Sequence, residues 1–383
     1  MTQRRTPSLA DTLPNQVEGD RLMPDNQDTV ILTRPLMDVG DNLTDVRRGR
    51  TENLPTVGHI ARYALKYTLG EGGLGTVYAA HDPLLSRAVA IKTLHVDPSI
   101  TDPERFNALF LNEARAAGGL SHPQIVTVYD AGTSERGPYI AMELLRGKDL
   151  RQLLSHGWRP TPSQAALIVR RVADALSYAH HKGVIHRDIK PANIFMTGRT
   201  QPRVLDFGIA RIRQAESLAQ RDDPQSRFHE LVGGSPYYMS PEQVRRQIVD
   251  RRVDVYALGV VLYELLTGQR PFGGNSLEEI ASAVLSHPVP LAHEVNPEVP
   301  QALSEIVAQA MHREKDQRIR SARRLSQSLR EWIEHSDEPD ESANGRLPDG
   351  DDDDGDNANR WLLPLAALGW VLALAGIGWA IWR

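Results

Sequence analysis

The chain has 383 residues, with 49 acidic against 44 Lys and Arg side chains and a formal net charge of -5 at pH 7. That length accommodates two average domains, or one large domain with tails. The acidic balance argues against the basic surface of a nucleic-acid-binding domain, and the absence of Cys excludes disulfides and thiolate metal sites.

Residues 1–62 are rich in Thr, Asp, Asn, Arg and Pro and show no apolar periodicity. Such a composition buries too little surface to offset chain ordering, so it predicts a disordered N-terminal arm. No apolar stretch follows Arg4 and Arg5, which argues against a secretory signal peptide.

Residues 67–94, YTLGEGGLGTVYAAHDPLLSRAVAIKTL, read as a Gly-interrupted hairpin followed by another strand. Gly70, Gly72 and Gly75 form G-x-G-x-x-G, with Val77 two positions on. Lacking Cβ atoms, such a turn approaches phosphates closely and offers them its backbone N–H groups. A dinucleotide-binding turn has the same spacing but leads into a helix, whereas TVYAA continues as a strand. Lys92 ends the apolar run ValAlaIleLys, 17 residues after Gly75. A Lys in such a strand needs an anionic partner, which Glu113 of the helix-patterned segment 103–120 can supply.

Long apolar-periodic helices follow residue 142, including 163–183 and 253–268. Between them lies HRDIKPANIFMTGRTQPRVLDFG, residues 186–208. Within 23 residues it holds a candidate general base, a Lys, an Asn and a second Asp. As a set, these residues point to phosphoryl transfer from ATP to a protein hydroxyl.

Residues 337–356 carry ten acidic side chains against one Arg, which predicts an extended, solvated linker over 334–360. The Asp/Gly/Asn pattern lacks the spacing and closing Glu of a calcium loop. Residues 361–382 contain no charge, begin and end on Trp361 and Trp382, and are flanked by Arg360 and Arg383. As a helix they would cover about 33 Å, so the pattern predicts a membrane span.

Over residues 63–333 the chain closely resembles the bacterial Hanks-type serine/threonine protein kinases. The resemblance implies an α+β bilobal fold, with a β-rich N-lobe over 63–142 and a helical C-lobe over 143–333. With the span, the expected fold class includes one C-terminal transmembrane helix. The expected localisation is the bacterial cell membrane, single-pass, with the kinase domain cytoplasmic.

By the same resemblance, Asp188 orients the acceptor hydroxyl and takes its proton, while Lys190 neutralises the moving phosphoryl group. Asn193 and Asp206 bind Mg²⁺ or Mn²⁺, and Lys92 and Glu113 complete the catalytic set. ATP lies against Leu69, Gly70, Gly72, Gly75, Val77, Ala90 and Lys92. Met142 is the gatekeeper, and the backbone of Glu143 and Leu145 meets the adenine edge. His186 and Phe207 are structural. Glu242 of GSPYYMSPEQ is expected to pair with Arg320, and Asp254 to hold the catalytic-loop backbone.

The stretch 227–234 lacks the Ser or Thr common in bacterial relatives. Ser226, Thr29, Thr33 and Thr44 are the expected autophosphorylation sites, with Ser217 and Ser235 as further candidates. The implied partners are ATP, proteins bearing Ser or Thr, phosphopeptide-binding partners and a second copy of the chain. The rival readings are a catalytically inactive scaffold and a small-molecule kinase. Retention of Lys92, Asp188, Asn193 and Asp206 speaks against the first, and the YYMSPE platform against the second.

Overall fold

The computed structural model describes residues 51–72, 75–94, 103–207 and 236–336. Their N-terminal part is an antiparallel six-stranded sheet of order β1-β2-β3-β4-β6-β5. Its strands are β1 (Gly58–Ile60), β2 (Tyr63–Gly72), β3 (Gly75–Asp82), β4 (Arg87–Thr93), β5 (Val128–Ser134) and β6 (Gly137–Glu143). Helix α1 (Pro103–Gly118) supplies Phe106, Phe110 and Ala114 to a core shared with Val77, Leu94 and Ile140.

Alternation along β4 sorts its side chains between two faces. Val89 and Ile91 join Tyr63, Leu65 and Ala141 on one side, while Ala90 belongs to the opposite cluster with Met142. Lys92 is two positions beyond Ala90, so it shares that second face.

The sheet begins earlier than the expected arm boundary at residue 62. β1 pairs with β2 through Gly58↔Leu65 and Ile60↔Tyr63, and Thr51 and Leu54 are buried. Lys66 holds this entry by donating to Leu54 O at 2.7 Å and Thr56 Oγ1 at 3.1 Å. Residues 51–60 therefore belong to the fold; 1–50 lie outside the described residues.

The second part contains β7 (Lys148–Asp149), α2 (Leu150–Ser155), α3 (Pro162–His181), β8 (Ile194–Met196) and β9 (Pro202–Val204). It continues with α4 (Pro241–Val244), α5 (Arg252–Thr267), α6 (Leu277–Ser286), α7 (Ala292–Val295), α8 (Gln301–Ala310) and α9 (Ala322–His335). Thr161 caps α3 in a capping box with Gln164, and Pro162 occupies its first turn. α5 is buried along nearly its whole length. A Cβ on Gly259 would lie 2.9 Å from both Ala310 Cβ and Met311 Cγ, so this glycine permits the close approach of α8. Gly268, at φ 74°, ends α5 in the left-handed conformation.

The expected fold class requires one correction. Among the described residues no helix is long and apolar enough to cross a membrane. The longest, α3, has 20 residues but carries Arg170, Arg171 and Asp174. Among the described residues the architecture is the bilobal α+β fold with no transmembrane helix, and the single-pass membrane localisation is withdrawn. Residues 337–383, including the segment 361–382, lie outside the described residues.

Candidate active site

An apolar cleft separates the two parts. Leu69, Val77 and Ala90 line it from β2, β3 and β4, Met142 and Glu143 from the end of β6, Leu145 from the segment just after it, and Lys92 and Asp206 from its inner end. Eight expected residues thus converge on one pocket. Leu144, Ala192, Phe195 and Leu205 also line it. Sequence reasoning missed these four; Phe195 and Leu205 were signalled by lying two residues after Asn193 and one before Asp206. Glu143 donates its N–H to Thr127 O at 2.9 Å, and its carboxylate pairs with Arg203.

Gly70 and Gly72 lie on β2, with Gly72 opposite Gly75 at the hairpin end. Gly75 has φ 147°, and an added Cβ would sit 1.7 Å from Thr93 O. Only glycine lets the two backbones meet there. Gly73 and Leu74 lie outside the described residues.

Lys92 is 2% exposed and forms a 2.7 Å ion pair with Asp206 Oδ2. Glu113, the partner expected from the sequence, lies half-buried on α1. Burial pushes Asp206 toward its neutral acid, but the charge and hydrogen bond of Lys92, with His186 and Lys190 nearby, hold its pKa below the usual value. Asp206 also has φ 62°, an uncommon conformation for a residue with a Cβ.

The catalytic-loop residues are bound to one another. Asn193 Nδ2 donates to Asp188 O at 2.7 Å and to Asp188 Oδ2 at 3.3 Å, while Lys190 Nζ lies 3.3 Å from the same Oδ2. The amide nitrogen of Asn193 is therefore engaged, leaving its oxygen as the donor suited to a hard cation. The backbone N–H of Asp188 donates to His186 Nδ1 at 3.3 Å. His186 Nε2 consequently carries the proton directed to Leu205 O at 2.7 Å. Its ring meets Phe207 edge-on at 4.7 Å, a structural placement for both.

Asp254, at the start of α5, anchors this loop from below. Its carboxylate accepts from His186 N at 2.9 Å, Arg187 N at 2.7 Å and His180 Nε2 at 2.7 Å. Burial raises its pKa, but these donors outweigh burial and keep it low. Arg187, at φ 69°, is held in its uncommon conformation partly by this grip.

The expected Glu242–Arg320 pair is corrected to Glu242–Arg318. Arg318 Nη1 and Nη2 reach Glu242 Oε1 and Oε2 at 2.7 and 3.0 Å, both side chains being buried. The other three N–H groups of Arg318 donate to His312 O, Arg252 O and Arg313 O. All five donors are satisfied, while Arg320 is exposed. Ser240 caps α4 with Gln243 in a box visible in the sequence as Ser-Pro-Glu-Gln, a signal that the sequence reading passed over. Gln243 Nε2 also reaches Arg187 O at 2.9 Å.

A profile of the protein kinase domain matches residues 63–331. The chain belongs to the protein kinase family. Its kinase domain is 39% identical over 265 residues to a probable serine/threonine-protein kinase of Streptomyces coelicolor, covering 68% of this chain and 38% of that protein. It is 35% identical over 269 residues to the serine/threonine-protein kinase PrkC of Bacillus subtilis, covering 70% of this chain and 40% of that protein. The kinase domain of Mycobacterium tuberculosis PknI matches with a TM-score of 0.56 and 26% identity, covering 73% of this chain and 98% of that one. The chain thus spans about two-fifths of the length of these two curated relatives.

Proposed function

We propose that this chain is an active serine/threonine protein kinase that transfers the γ-phosphate of ATP to Ser and Thr hydroxyls of proteins. The convergence of the Lys92–Asp206 ion pair with the Asp188–Lys190–Asn193 cluster at the inner end of an apolar cleft carries this reading.

The adenine enters between Leu69, Val77 and Ala90 above and Phe195 and Leu205 below. Met142 bounds the pocket, and the backbone of Glu143 and Leu145 meets the base edge. The Gly70–Gly72–Gly75 hairpin covers the phosphates. Asn193 and Asp206 fit Mg²⁺ or Mn²⁺, with one neutral and one charged oxygen donor. The metal supplies neutralisation of phosphate charge when bound. Lys92 is placed to bind phosphate oxygens beside Asp206, whose carboxylate would hold the metal, with Glu113 as the further carboxylate of the set.

Asp188 accepts the acceptor hydroxyl's proton as the new O–P bond forms, held in position by Asn193 and by the loop grip of Asp254. Lys190 offsets negative charge on the transferred group. The test is transfer of labelled phosphate from ATP to a generic protein acceptor. Wild type should transfer and Asp188→Asn should not. An inert wild type, tested with either metal and after incubation with ATP, would favour the scaffold reading.

A further inference from the structure

Arg320 loses its expected role to Arg318 and lines a separate pocket behind the catalytic loop, with His180, Asp250, Arg251 and Arg252. The pocket has a volume of about 460 Å³, ample for a phosphate group. Its charges do not balance. Arg252 pairs with Asp250 at 2.8 Å and Asp316 at 2.9 Å, and Lys315 lies 4.0 Å from Asp250. Two cations thereby answer two carboxylates. The exposed Arg251 and Arg320 have no carboxylate partner among the described residues, so two guanidinium groups outside any ion pair face one concavity.

One further feature favours an anion there. The pocket lies at the N-terminal end of α5, a 16-residue helix, where the helix dipole is positive. Its wall also includes His180, whose side chain is 5% exposed. Its Nε2 is committed to Asp254. Guanidinium forks match the oxygens of a phosphate monoester.

From these observations we infer that the pocket lined by Arg251 and Arg320 binds the phosphate group of a phosphorylated Ser or Thr in a peptide segment. The proposed kinase activity bears only on the origin of such segments. Binding can be measured with no phosphoryl transfer, so failure here is distinguishable from failure of the kinase reading. The site is also mechanically close to the active centre. His180 and the two backbone N–H groups of His186 and Arg187 share the Asp254 carboxylate.

The test uses the full chain and a short, fluorescently labelled, uncharged peptide carrying one phosphothreonine, titrated by anisotropy. The phosphopeptide should bind at least tenfold more tightly than its unphosphorylated form. Arg251→Gln with Arg320→Gln should abolish that advantage while leaving basal transfer and the melting temperature unchanged. If the double variant fails to fold, Arg320→Gln alone should weaken phosphopeptide binding severalfold. Inorganic phosphate should compete at millimolar concentration. Equal binding of both peptides, or unchanged phosphopeptide affinity in the folded variants, would overturn the inference. Retention of free phosphate without the phosphopeptide would also overturn it.

Discussion

At the scale of single residues, the catalytic loop separates side chains that act from those that hold. Asp188 is the proposed proton acceptor, and Asp188→Asn should lower the transfer rate by about 10²–10⁴ with nucleotide affinity retained. Single-turnover transfer measured beside a nucleotide titration separates the two effects. Arg318 and Arg320 provide a contrast in stability. Truncating Arg318 strands Glu242 as an unpaired buried charge, so Arg318→Met should cost about 3–5 kcal/mol in urea unfolding. Arg320→Gln touches an exposed side chain and should stay within about 0.5 kcal/mol. If Arg320→Gln proved the costlier change, the assignment of the buried pair would be wrong.

At the scale of elements, the β2–β3 hairpin proposed to cover the phosphates depends on one backbone contact. Gly75→Ala would place a methyl group 1.7 Å from Thr93 O, in a conformation unfavourable for a residue with a Cβ. The β2–β3 turn should shift, with nucleotide affinity falling well before the C-lobe unfolds. Nucleotide titration and a thermal melt of the same variant would show whether those losses separate. Ser240 acts on a smaller scale by closing the α4 capping box, so Ser240→Ala should cost about 1 kcal/mol. That box was legible as Ser-x-x-Gln. The β1 strand was not legible, because Gly58–Ile60 is too short and too lightly patterned to show periodicity. Its existence depends on pairing with β2 and on Lys66 collecting carbonyls from the preceding turn.

At the scale of the whole molecule, buried carboxylates set the response to acid. Asp206, Glu242 and Asp254 each have a lowered pKa despite burial, because cations or N–H donors face them. The folded state therefore binds these protons less readily than the unfolded chain does. Their stabilisation is complete above the unfolded carboxylate range, about pH 4, and is lost as pH falls through the lower folded values. Urea midpoints should drop steeply below that range, and Asp254→Asn should flatten the dependence. An unchanged slope in that variant would count against Asp254 as a major contributor.

The amino-acid sequence by itself determined the chemistry that could be proposed. Asp188, Lys190, Asn193 and Asp206 fall within one short stretch, and the Gly70–Gly75 pattern and Lys92 within another. Local spacing suffices there because each group is carried by a single turn or strand. Tertiary structure decided what spacing cannot encode. It brought Lys92 to Asp206 across 114 residues, chose Arg318 over Arg320 across 76 residues, and joined Phe195 and Leu205 to the cleft. It also left Arg251 and Arg320 facing one pocket without partners among the described residues. Such pairings depend on which faces of distant elements are buried together, and a charge acquires its partner only when that packing is complete.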